Sequence, residues 1–307
     1  MNIKQNVSLA QYTTLEIGGP ARYFVEVKSE DELKEALRWA KEKGVETIVI
    51  AGGSNLLIHD DGYDGLVIKL SFGGITSDGK VVRIGAGESL QNLVDFANEN
   101  GLSGAEQLAG IPGTVGGAIY GNAGAYGQTI SDKINRVRIF KNGENKWIEK
   151  DECGFNYRES GFKTDKNLVI LEVEFVFEEG NSSELTKISD DTILKRTEKY
   201  KPGIKCPGSF FKNILISKLP KMTQKSMPKD YYGKAPAWWF LEQVGAKGAR
   251  RGAIEIADFH ANLFVNTGGG SAQDFYDLAK EYQNKVYEKF GIKLETEVQL
   301  VGFRETL

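Results

Sequence analysis

Glycine is concentrated in one part of this chain. It accounts for 36 of the 307 residues, and nine of these glycines lie within the 27 residues from Gly101 to Gly127. A glycine has no Cβ, so the backbone can take positive φ angles there and can approach a ligand closely. The local concentration therefore predicts a binding site rather than a uniformly flexible chain.

Charge and hydropathy exclude several classes of protein. The chain carries 39 basic and 42 acidic side chains, a formal net charge of −3, whereas proteins that bind nucleic acid or anionic lipid carry a basic excess. No run reaches the roughly 18 apolar residues of a membrane-spanning helix, and residues 1–20 lack the basic and apolar regions of a secretion signal. We therefore expect a cytoplasmic protein with no nucleic-acid or membrane partner. A monomer is expected as well. The length suggests about two domains.

Cysteine and histidine are too few and too widely spaced to indicate a metal site. Cys153 and Cys206 have no CxxC spacing, and His59 and His260 are far apart in sequence. Zinc sites and disulfide frameworks are recognised by closely spaced sets of such residues. We expect no metal, no disulfide framework and no catalytic cysteine–histidine pair.

The N-terminal sequence has the pattern of a βαβ unit. Arg22–Val27 is rich in aromatic and β-branched residues and predicts a strand. Ser29 and Glu32 have the spacing of a capping box at the start of a helix. A second strand, Thr47–Ala51, leads into the GGSN turn at residues 52–55, whose backbone N–H groups are suited to binding phosphate.

The rest of the chain alternates short strands with helices. Asn142-Gly143 predicts a hairpin turn, helical spacing covers Ser183–Lys199 and Ser271–Phe290, and Val298–Phe303 predicts a final strand. A proline-containing loop after the first of these helices marks a domain boundary. The predicted domains are residues 1–204, with subdomains of about 1–68 and 69–204, and residues 205–307, whose last strand is expected to pack back on the first subdomain.

Three glycine-rich segments stand out: GGSNLL at residues 52–57, GIPGTVGGA at 110–118 and GNAGAYG at 121–127. The chain has neither a GxxxxGK[ST] phosphate loop nor a GxGxxG pattern between a strand and a helix, which excludes P-loop and simple Rossmann folds. Together the segments are suited to holding one large cofactor. The alternative is that each is an ordinary tight turn.

Four polar side chains after residue 150 are candidates for chemistry. Arg158 lies among aromatic residues, where it binds a substrate carboxylate or forms a surface cation–π pair. Ser209 lacks the setting of a nucleophilic serine and is either a proton donor or the cap of a turn. Glu295 and Glu297 share one face of a predicted strand, so that one of them faces a cleft or both are solvated.

The order and spacing of these motifs resemble the UDP-N-acetylenolpyruvoylglucosamine reductase (MurB) family, flavoenzymes of peptidoglycan synthesis. The resemblance extends from about Thr14 to Gly302 and rests on GGSNLL, GIPGTVGGA, GNAGAYG, YRES, GSFFKN and LETEV. It implies an α+β fold, with an FAD-binding domain of the vanillyl-alcohol oxidase (PCMH) type followed by a smaller α+β substrate-binding domain. An FAD domain of that type lacks the Rossmann glycine pattern.

The resemblance also implies roles for individual residues. The implied catalytic residues are Arg158, Ser209 and Glu297. Contacts with FAD are implied for Gly52, Gly53, Ser54, Asn55, Leu56, Leu57, Ile111, Pro112, Gly113, Thr114, Gly116, Gly117, Ala118, Gly121, Asn122 and Gly124. Contacts with a UDP-sugar substrate are implied for Tyr126, Lys199, Lys212, Asn213 and His260.

The implied reaction reduces UDP-N-acetyl-3-O-(1-carboxyvinyl)-glucosamine to UDP-N-acetylmuramate, with FAD as cofactor and NADPH as reductant. Arg158 and a protonated or hydrogen-bonding Glu297 would stabilise the negative charge that develops on the substrate, and Ser209 would protonate its α-carbon. Two alternatives stay open. One is another FAD-dependent oxidoreductase of the same fold that acts on an alcohol or a sugar, and the other is a sugar-nucleotide binder without activity. Ile214 and Thr296 replace prolines that are usual in the family.

Overall fold

The computed structural model describes residues 1–165, 167–227, 233–305 and 307. They form two compact units, each built from separate stretches of chain. The first unit comprises Met1–Asn6, Arg22–Gly52 and Asp64–Glu198, and the second comprises Val7–Ala21, Gly53–Tyr63 and Lys199–Leu307. The units differ from the predicted domains, residues 1–204 and 205–307, because two N-terminal stretches pack with the C-terminal part of the chain. The domain division itself stays a prediction.

Helices and strands occur throughout both units. The helices are α1 Glu30–Lys43, α2 Leu90–Glu99, α3 Val115–Gly121, α4 Ser182–Lys199, α5 Lys221–Ser226, α6 Ala237–Gln243 and α7 Ala272–Phe290. The strands are β1 Lys4–Ser8, β2 Pro20–Val27, β3 Thr47–Ile50, β4 Leu56–Ile58, β5 Tyr63–Leu70, β6 Ile75–Asp78, β7 Val81–Gly85, β8 Leu102–Ser103, β9 Gly124–Ala125, β10 Gln128–Thr129, β11 Ile134–Lys141, β12 Glu144–Glu149, β13 Val169–Val176, β14 Glu178–Glu179, β15 Ile214–Leu215, β16 Lys234–Ala235, β17 Arg250–Arg251, β18 Ile254–Ile256, β19 Phe264–Asn266 and β20 Gln299–Val301. Within the described part of the chain, no helix has the length and apolar character needed to cross a membrane.

The first unit contains two sheets. One has the strand order β1-β2-β5-β3, with β3 and β5 parallel, and the other has the order β12-β11-β13-β7-β6. All the strand pairs of the second sheet are antiparallel. The apolar faces of α1 and α2 pack with residues of both sheets in one hydrophobic core.

Local signals predicted the first helix and the hairpin well. Helix α1 begins after Ser29, whose hydroxyl accepts a hydrogen bond from the Glu32 backbone N–H. The reciprocal bond of the predicted capping box goes instead from the Lys28 backbone N–H to the Glu32 carboxylate. Asn142 and Gly143 join β11 to β12 with φ angles of 52° and 93°. Two positive φ angles are typical of the type I′ turn that a two-residue hairpin favours, so the predicted hairpin is confirmed.

The second unit has a core rich in phenylalanine. Its largest fully buried side chains include those of Phe210, Phe211, Phe240, Phe264 and Phe275. The Phe210 ring centroid lies 4.8 Å from that of Phe211 and 5.1 Å from that of Phe275 on α7. Aromatic rings at such separations pack favourably edge to face. The two phenylalanines of the GSFFKN motif therefore anchor that segment in the core.

The ends of α7 are fixed by specific residues. The Asp60 carboxylate accepts hydrogen bonds from the backbone N–H groups of Ala272 and Gln273, and Gly291 ends the helix with a φ of 68°. The final strand β20 pairs in parallel with β4, with Gln299 opposite Leu56. Residues 56–58 belong to the stretch that the sequence assigned to the first subdomain. The GGSN turn therefore leads directly into the strand beside the C-terminal strand.

Candidate active site

The first two glycine-rich segments meet within the first unit. A Cβ on Gly52 would lie 2.7 Å from the Gly113 Cα, and a Cβ on Gly116 would lie 2.8 Å from the Ala86 Cβ. Both distances are shorter than a real side chain tolerates, so only glycine permits these approaches. Gly116 lies on α3, which begins after Thr114, whose hydroxyl accepts from the Gly117 backbone N–H. The GGSN and GIPGTVGGA segments thus lie in close backbone contact, and their predicted role in holding a cofactor stays a prediction.

The GGSN turn continues into the second unit. Gly53 has a φ of +61°, and a Cβ there would lie 1.8 Å from the Tyr12 carbonyl oxygen. The next residues, Leu56 and Leu57, form part of β4, and the Leu57 side chain is fully buried in the hydrophobic core of that unit. Because its side chain packs among protein atoms, Leu57 can serve a cofactor only through its backbone.

The third glycine-rich segment holds Arg158. The Arg158 guanidinium donates from Nη2 to the Gly124 carbonyl at 2.7 Å and from Nη1 to the Asn122 carbonyl at 3.4 Å. Its Cζ also lies 5.4 Å from the centre of the Tyr157 ring, so the predicted cation–π contact is present as well. Asn122, Tyr126 and Arg158 have φ angles of 43°, 49° and 54°. Left-handed backbone is uncommon for residues other than glycine and clusters at functional sites.

Asn122 offers a buried acceptor. The residue is 4% exposed, and its Nδ2 donates to the Asn156 carbonyl at 2.8 Å. Its Oδ1 has no hydrogen-bond partner among the described residues. An unpaired buried acceptor costs stability unless a bound molecule satisfies it. FAD carries N–H and O–H donors, so this oxygen fits that cofactor.

Ser209 lies in a hydrogen-bonded cluster of the second unit. The Lys199 Nζ donates to the Ser209 Oγ at 3.2 Å, and the Tyr200 hydroxyl lies 3.4 Å from the same oxygen. The Lys199 Nζ lies 4.9 Å from the centre of the Tyr200 ring. The structure thus brings Lys199 and Ser209 together, as two of the predicted site residues. Tyr200 was not predicted from the sequence.

The two glutamates of the LETEV motif have different surroundings. The Lys212 backbone N–H donates to the Glu295 carbonyl and the Lys212 Nζ pairs with the Glu295 carboxylate at 3.4 Å, but the Glu295 side chain is 69% exposed. Glu297 is half-buried, and its backbone N–H donates to the Phe210 carbonyl at 2.8 Å. A β-bridge between Phe211 and Thr296 joins the two segments. The segment that carries Glu297 therefore runs beside the segment that carries Ser209.

Asn262 holds the segment that carries Ser209, and sequence reasoning missed it. Its carbonyl accepts from the Phe210 N–H, its Oδ1 accepts from the Phe211 N–H at 2.9 Å, and its Nδ2 donates to the Phe211 carbonyl at 2.8 Å. Only 2% of the residue is exposed. The asparagine amide thus pairs with the backbone N–H and carbonyl of Phe211, as a residue of an adjacent strand would. The only signal in the sequence was a polar residue directly before an apolar strand, and that signal is weak.

His260 is held in its neutral form. Burial is the main cause that lowers its pKa to about 3, and the nearby Lys199 charge acts in the same direction. The His260 Nδ1 accepts a hydrogen bond from the Asn262 backbone N–H at 3.2 Å. With Nδ1 as an acceptor, the ring proton lies on Nε2. His260 can therefore offer a substrate a neutral N–H donor but not a positive charge.

The remaining predicted substrate residues fall in both units. Tyr126 belongs to the first unit and is exposed. Asn213 belongs to the second unit, where its Oδ1 accepts from the backbone N–H of Ala237 at the start of α6. In the part of the chain that the structure describes, no group of three or more histidine, cysteine, aspartate or glutamate side chains could hold a metal ion.

Comparisons with known proteins place this chain in a family. The family model described as "FAD binding domain" matches residues 21–147, and the model described as "UDP-N-acetylenolpyruvoylglucosamine reductase, C-terminal domain" matches residues 199–301. The chain is 44% identical to the UDP-N-acetylenolpyruvoylglucosamine reductase of Solibacter usitatus, over 98% of this chain and 97% of the relative. The chain belongs to the UDP-N-acetylenolpyruvoylglucosamine reductase family.

Other UDP-N-acetylenolpyruvoylglucosamine reductases agree with this assignment. The enzyme of Carboxydothermus hydrogenoformans is 38% identical, over 98% of this chain and 94% of the relative. The crystal structure of the reductase (MurB) from Thermus caldophilus superposes with a TM-score of 0.78 at 31% identity, covering 98% of this chain and 99% of that one. The predicted family, the α+β fold with a PCMH-type FAD-binding domain and the FAD cofactor are thereby confirmed.

Proposed function

We propose that this chain catalyses the NADPH-dependent reduction of UDP-N-acetyl-3-O-(1-carboxyvinyl)-glucosamine to UDP-N-acetylmuramate. The observation that carries the proposal is the pairing of the Ser209 and Glu297 segments through the bridge between Phe211 and Thr296. It holds a hydroxyl and a carboxyl on neighbouring backbones in a chain of the reductase family. FAD, when bound, takes two electrons from NADPH and supplies them to the substrate as hydride.

In this proposal Ser209 supplies the proton. Reduction of the carbon–carbon double bond adds a hydride to the β-carbon and a proton to the α-carbon. The Ser209 Oγ–H bond breaks as the α-carbon–hydrogen bond forms, which leaves negative charge on Oγ. The Lys199 Nζ already donates to Oγ at 3.2 Å. A charge-assisted hydrogen bond of this kind stabilises the developing alkoxide and makes serine a competent acid.

Arg158 and a protonated or hydrogen-bonding Glu297 are assigned to the substrate carboxylate and to the negative charge that spreads onto it. A guanidinium presents several N–H donors in a planar fork that matches a carboxylate. The contacts of Arg158 with the Gly124 and Asn122 carbonyls support this role, because they fix the orientation of the guanidinium in advance. Lys199, Lys212, Asn213, His260 and Tyr126 are assigned to the sugar nucleotide.

The glycine-rich segments are assigned to FAD. The close approach of Gly52 to Gly113 supports this role, because it brings the GGSN and GIPGTVGGA segments together on neighbouring backbones. The unpaired Asn122 Oδ1 supports it too, since a donor of the cofactor would satisfy that oxygen.

The proposed setting is peptidoglycan synthesis in the cytoplasm, where the product contributes to cell-wall growth, cell shape and division. Neither Cys153 nor Cys206 forms a disulfide, and both are buried. Unpaired cysteines are typical of a reducing compartment. We propose that the protein acts there as a monomer, with a UDP-sugar as its substrate and no nucleic-acid or membrane partner.

One assay tests the reaction. The purified protein should be yellow, and NADPH oxidation should depend on the enolpyruvyl sugar nucleotide and yield one UDP-N-acetylmuramate per NADPH. Two comparison reactions use NADH in place of NADPH, or oxygen in place of the sugar nucleotide. Turnover of an alcohol or a free sugar instead would assign the chain to another FAD oxidoreductase class. Flavin binding with no turnover of any of these substrates would contradict the enzymatic function.

A further inference from the structure

The Glu297 backbone carbonyl accepts hydrogen bonds from two side-chain amides. The Asn55 Nδ2 donates to it at 3.1 Å, and the Gln299 Nε2 donates to it at 3.1 Å. A peptide carbonyl has two lone pairs, so these two donors saturate it. Pairing of adjacent strands uses backbone donors and does not require two side-chain amides on one carbonyl.

The opposite side of Glu297 is held as well. Its backbone N–H donates to the Phe210 carbonyl at 2.8 Å, and Phe210 follows Ser209 directly in the sequence. The Gln299 backbone N–H returns a hydrogen bond to the Asn55 carbonyl at 3.0 Å. Asn55 therefore exchanges two hydrogen bonds with the C-terminal segment, one through its side chain and one through its backbone.

These bonds connect three parts of the second unit. Asn55 ends the GGSN turn, Glu297 precedes the final strand, and Phe210 belongs to the GSFFKN motif. Because both polar groups of the Glu297 backbone are fixed, its carboxylate can move only by side-chain rotation. The amide of Asn55 thus has a role that the cofactor assignment of the GGSN turn does not include.

We propose that Asn55 and Gln299 are positioning residues for Glu297. Their amides fix the backbone from which the carboxylate projects and tie it to the GGSN turn, so that the carboxylate is already in place when the substrate arrives. This inference rests on the proposed function, because it takes Glu297 as the residue that acts on the substrate. Neither amide is required to touch the substrate or to transfer a proton.

Two variants remove one donor each. Gln299→Met keeps the approximate length of the side chain but has no N–H, and it lies outside the glycine-rich segments assigned to FAD. Asn55→Asp keeps the shape but places a carboxylate oxygen against the Glu297 carbonyl. Two matched controls make the same changes elsewhere. Gln273→Met removes an exposed amide bonded to Asp277, and Asn181→Asp retains the Oδ1 that accepts from the Glu184 N–H.

The half-reactions separate positioning from cofactor binding. In the holoenzyme, Gln299→Met should keep the rate of flavin bleaching by NADPH within about twofold of wild type, because Gln299 lies outside the residues assigned to FAD. Flavin reoxidation by saturating enolpyruvyl sugar nucleotide should slow about threefold to tenfold in Gln299→Met, the range expected for one lost hydrogen bond. Asn55→Asp should slow it at least as much, with substrate KM changed less than kcat. Both controls should behave as wild type.

In Gln299→Met, equal slowing of both half-reactions or wild-type reoxidation would overturn the proposal. Hydrogen–deuterium exchange gives a readout that needs no turnover: residues 294–301 should exchange faster in both variants and not in the controls. Unchanged exchange in both variants would likewise overturn it. Failure of the wild-type protein to reduce the sugar nucleotide would contradict the proposed function instead, and the exchange measurement would still decide whether the amides hold the Glu297 backbone.

Discussion

The Lys199 ammonium group donates a hydrogen bond to the Ser209 hydroxyl oxygen at 3.2 Å. The contact places a positive charge beside the Ser209 oxygen, the atom that would lose a proton in the proposed reaction. It also distinguishes Ser209 from a serine that merely caps a turn, since a cap would donate to or accept from backbone. The roles of the two residues can therefore be tested separately.

Ser209→Ala should block reduction of the substrate while leaving reduction of the flavin by NADPH intact. General-acid catalysis contributes roughly 100-fold to 10,000-fold, so flavin reoxidation should slow by at least about 100-fold. Lys199→Met, which keeps the hydroxyl but removes the charge beside it, should give a smaller loss. Stopped-flow absorbance of the flavin measures both steps. A Ser209→Ala variant that reoxidises at the wild-type rate would rule out the proton-donor role.

Glu297→Gln and Glu295→Gln form a matched pair. Glu295 is mostly exposed and pairs with Lys212 at 3.4 Å, and exposed ion pairs contribute little. Because the lost ion pair is exposed, we expect Glu295→Gln to keep kcat within about threefold of wild type. Glu297→Gln should lower kcat by about 100-fold, the typical cost of losing one group that stabilises developing charge, with the FAD content unchanged. Steady-state kinetics would return the role to Glu295 if the two variants exchanged these effects.

Short-range signals in the sequence predicted much of the fold. The cap at Ser29, the Asn142-Gly143 turn and the glycine that ends α7 are all determined within a few residues of the element they control. Helix α7, predicted as Ser271–Phe290, is found at Ala272–Phe290. The final strand, predicted as Val298–Phe303, is shorter, Gln299–Val301, since only these residues pair with β4.

Long-range contacts within the site were not predictable in the same way. Asn55 and Glu297 are 242 residues apart in the chain, and the amide that joins them is indistinguishable in sequence from one that contacts a cofactor. Asn262 and Tyr200 have no motif of their own, and their roles depend on how the Ser209 segment folds beside them. The glycine spacing predicted a cradle, but only the structure identifies Gly113 as the residue that Gly52 approaches.

Gly53→Ala should be far more damaging than Gly79→Ala. Both glycines have left-handed φ angles, 61° and 57°. A Cβ at Gly53 would lie 1.8 Å from the Tyr12 carbonyl oxygen, whereas a Cβ at Gly79 meets nothing within 4 Å. Gly79→Ala should therefore cost only the conformational strain, about 1 kcal/mol, and keep the flavin. Gly53→Ala should lower the free energy of unfolding several times more than Gly79→Ala does. It should also cause loss of bound FAD. Denaturant unfolding and flavin absorbance measure both; equal losses would contradict the steric argument.

Glu174 should make stability depend on pH in acid. Hydrogen bonds from Arg136, Asn135 and Arg83 lower its pKa from 4.5 to about 2, against the effect of burial. Because the folded-state pKa is the lower one, the stabilisation is fully present above about pH 4.5 and is lost as the pH falls towards 2. The loss amounts to up to about 3 kcal/mol. In urea unfolding from pH 5 to pH 2.5, the free energy of unfolding should depend less on pH in Glu174→Gln than in wild type. Glu172→Gln, which alters a more exposed pair with Arg138, serves as the control.

His260 should affect stability in a higher pH range and should not shape the activity profile near neutrality. Burial lowers its pKa from 6.5 to about 3, so the folded protein keeps the ring neutral while the unfolded chain takes up a proton below pH 6.5. Stability should therefore fall as the pH decreases from 6.5, before Glu174 begins to contribute near pH 4.5. His260→Gln should remove part of the loss between these two values in urea unfolding. The pH midpoints of kcat between pH 5.5 and 8 should not move, even if the variant lowers kcat by losing an N–H donor. A midpoint near pH 6.5 that disappears in His260→Gln would show that the imidazole titrates in the folded enzyme and would contradict its assignment as a neutral donor.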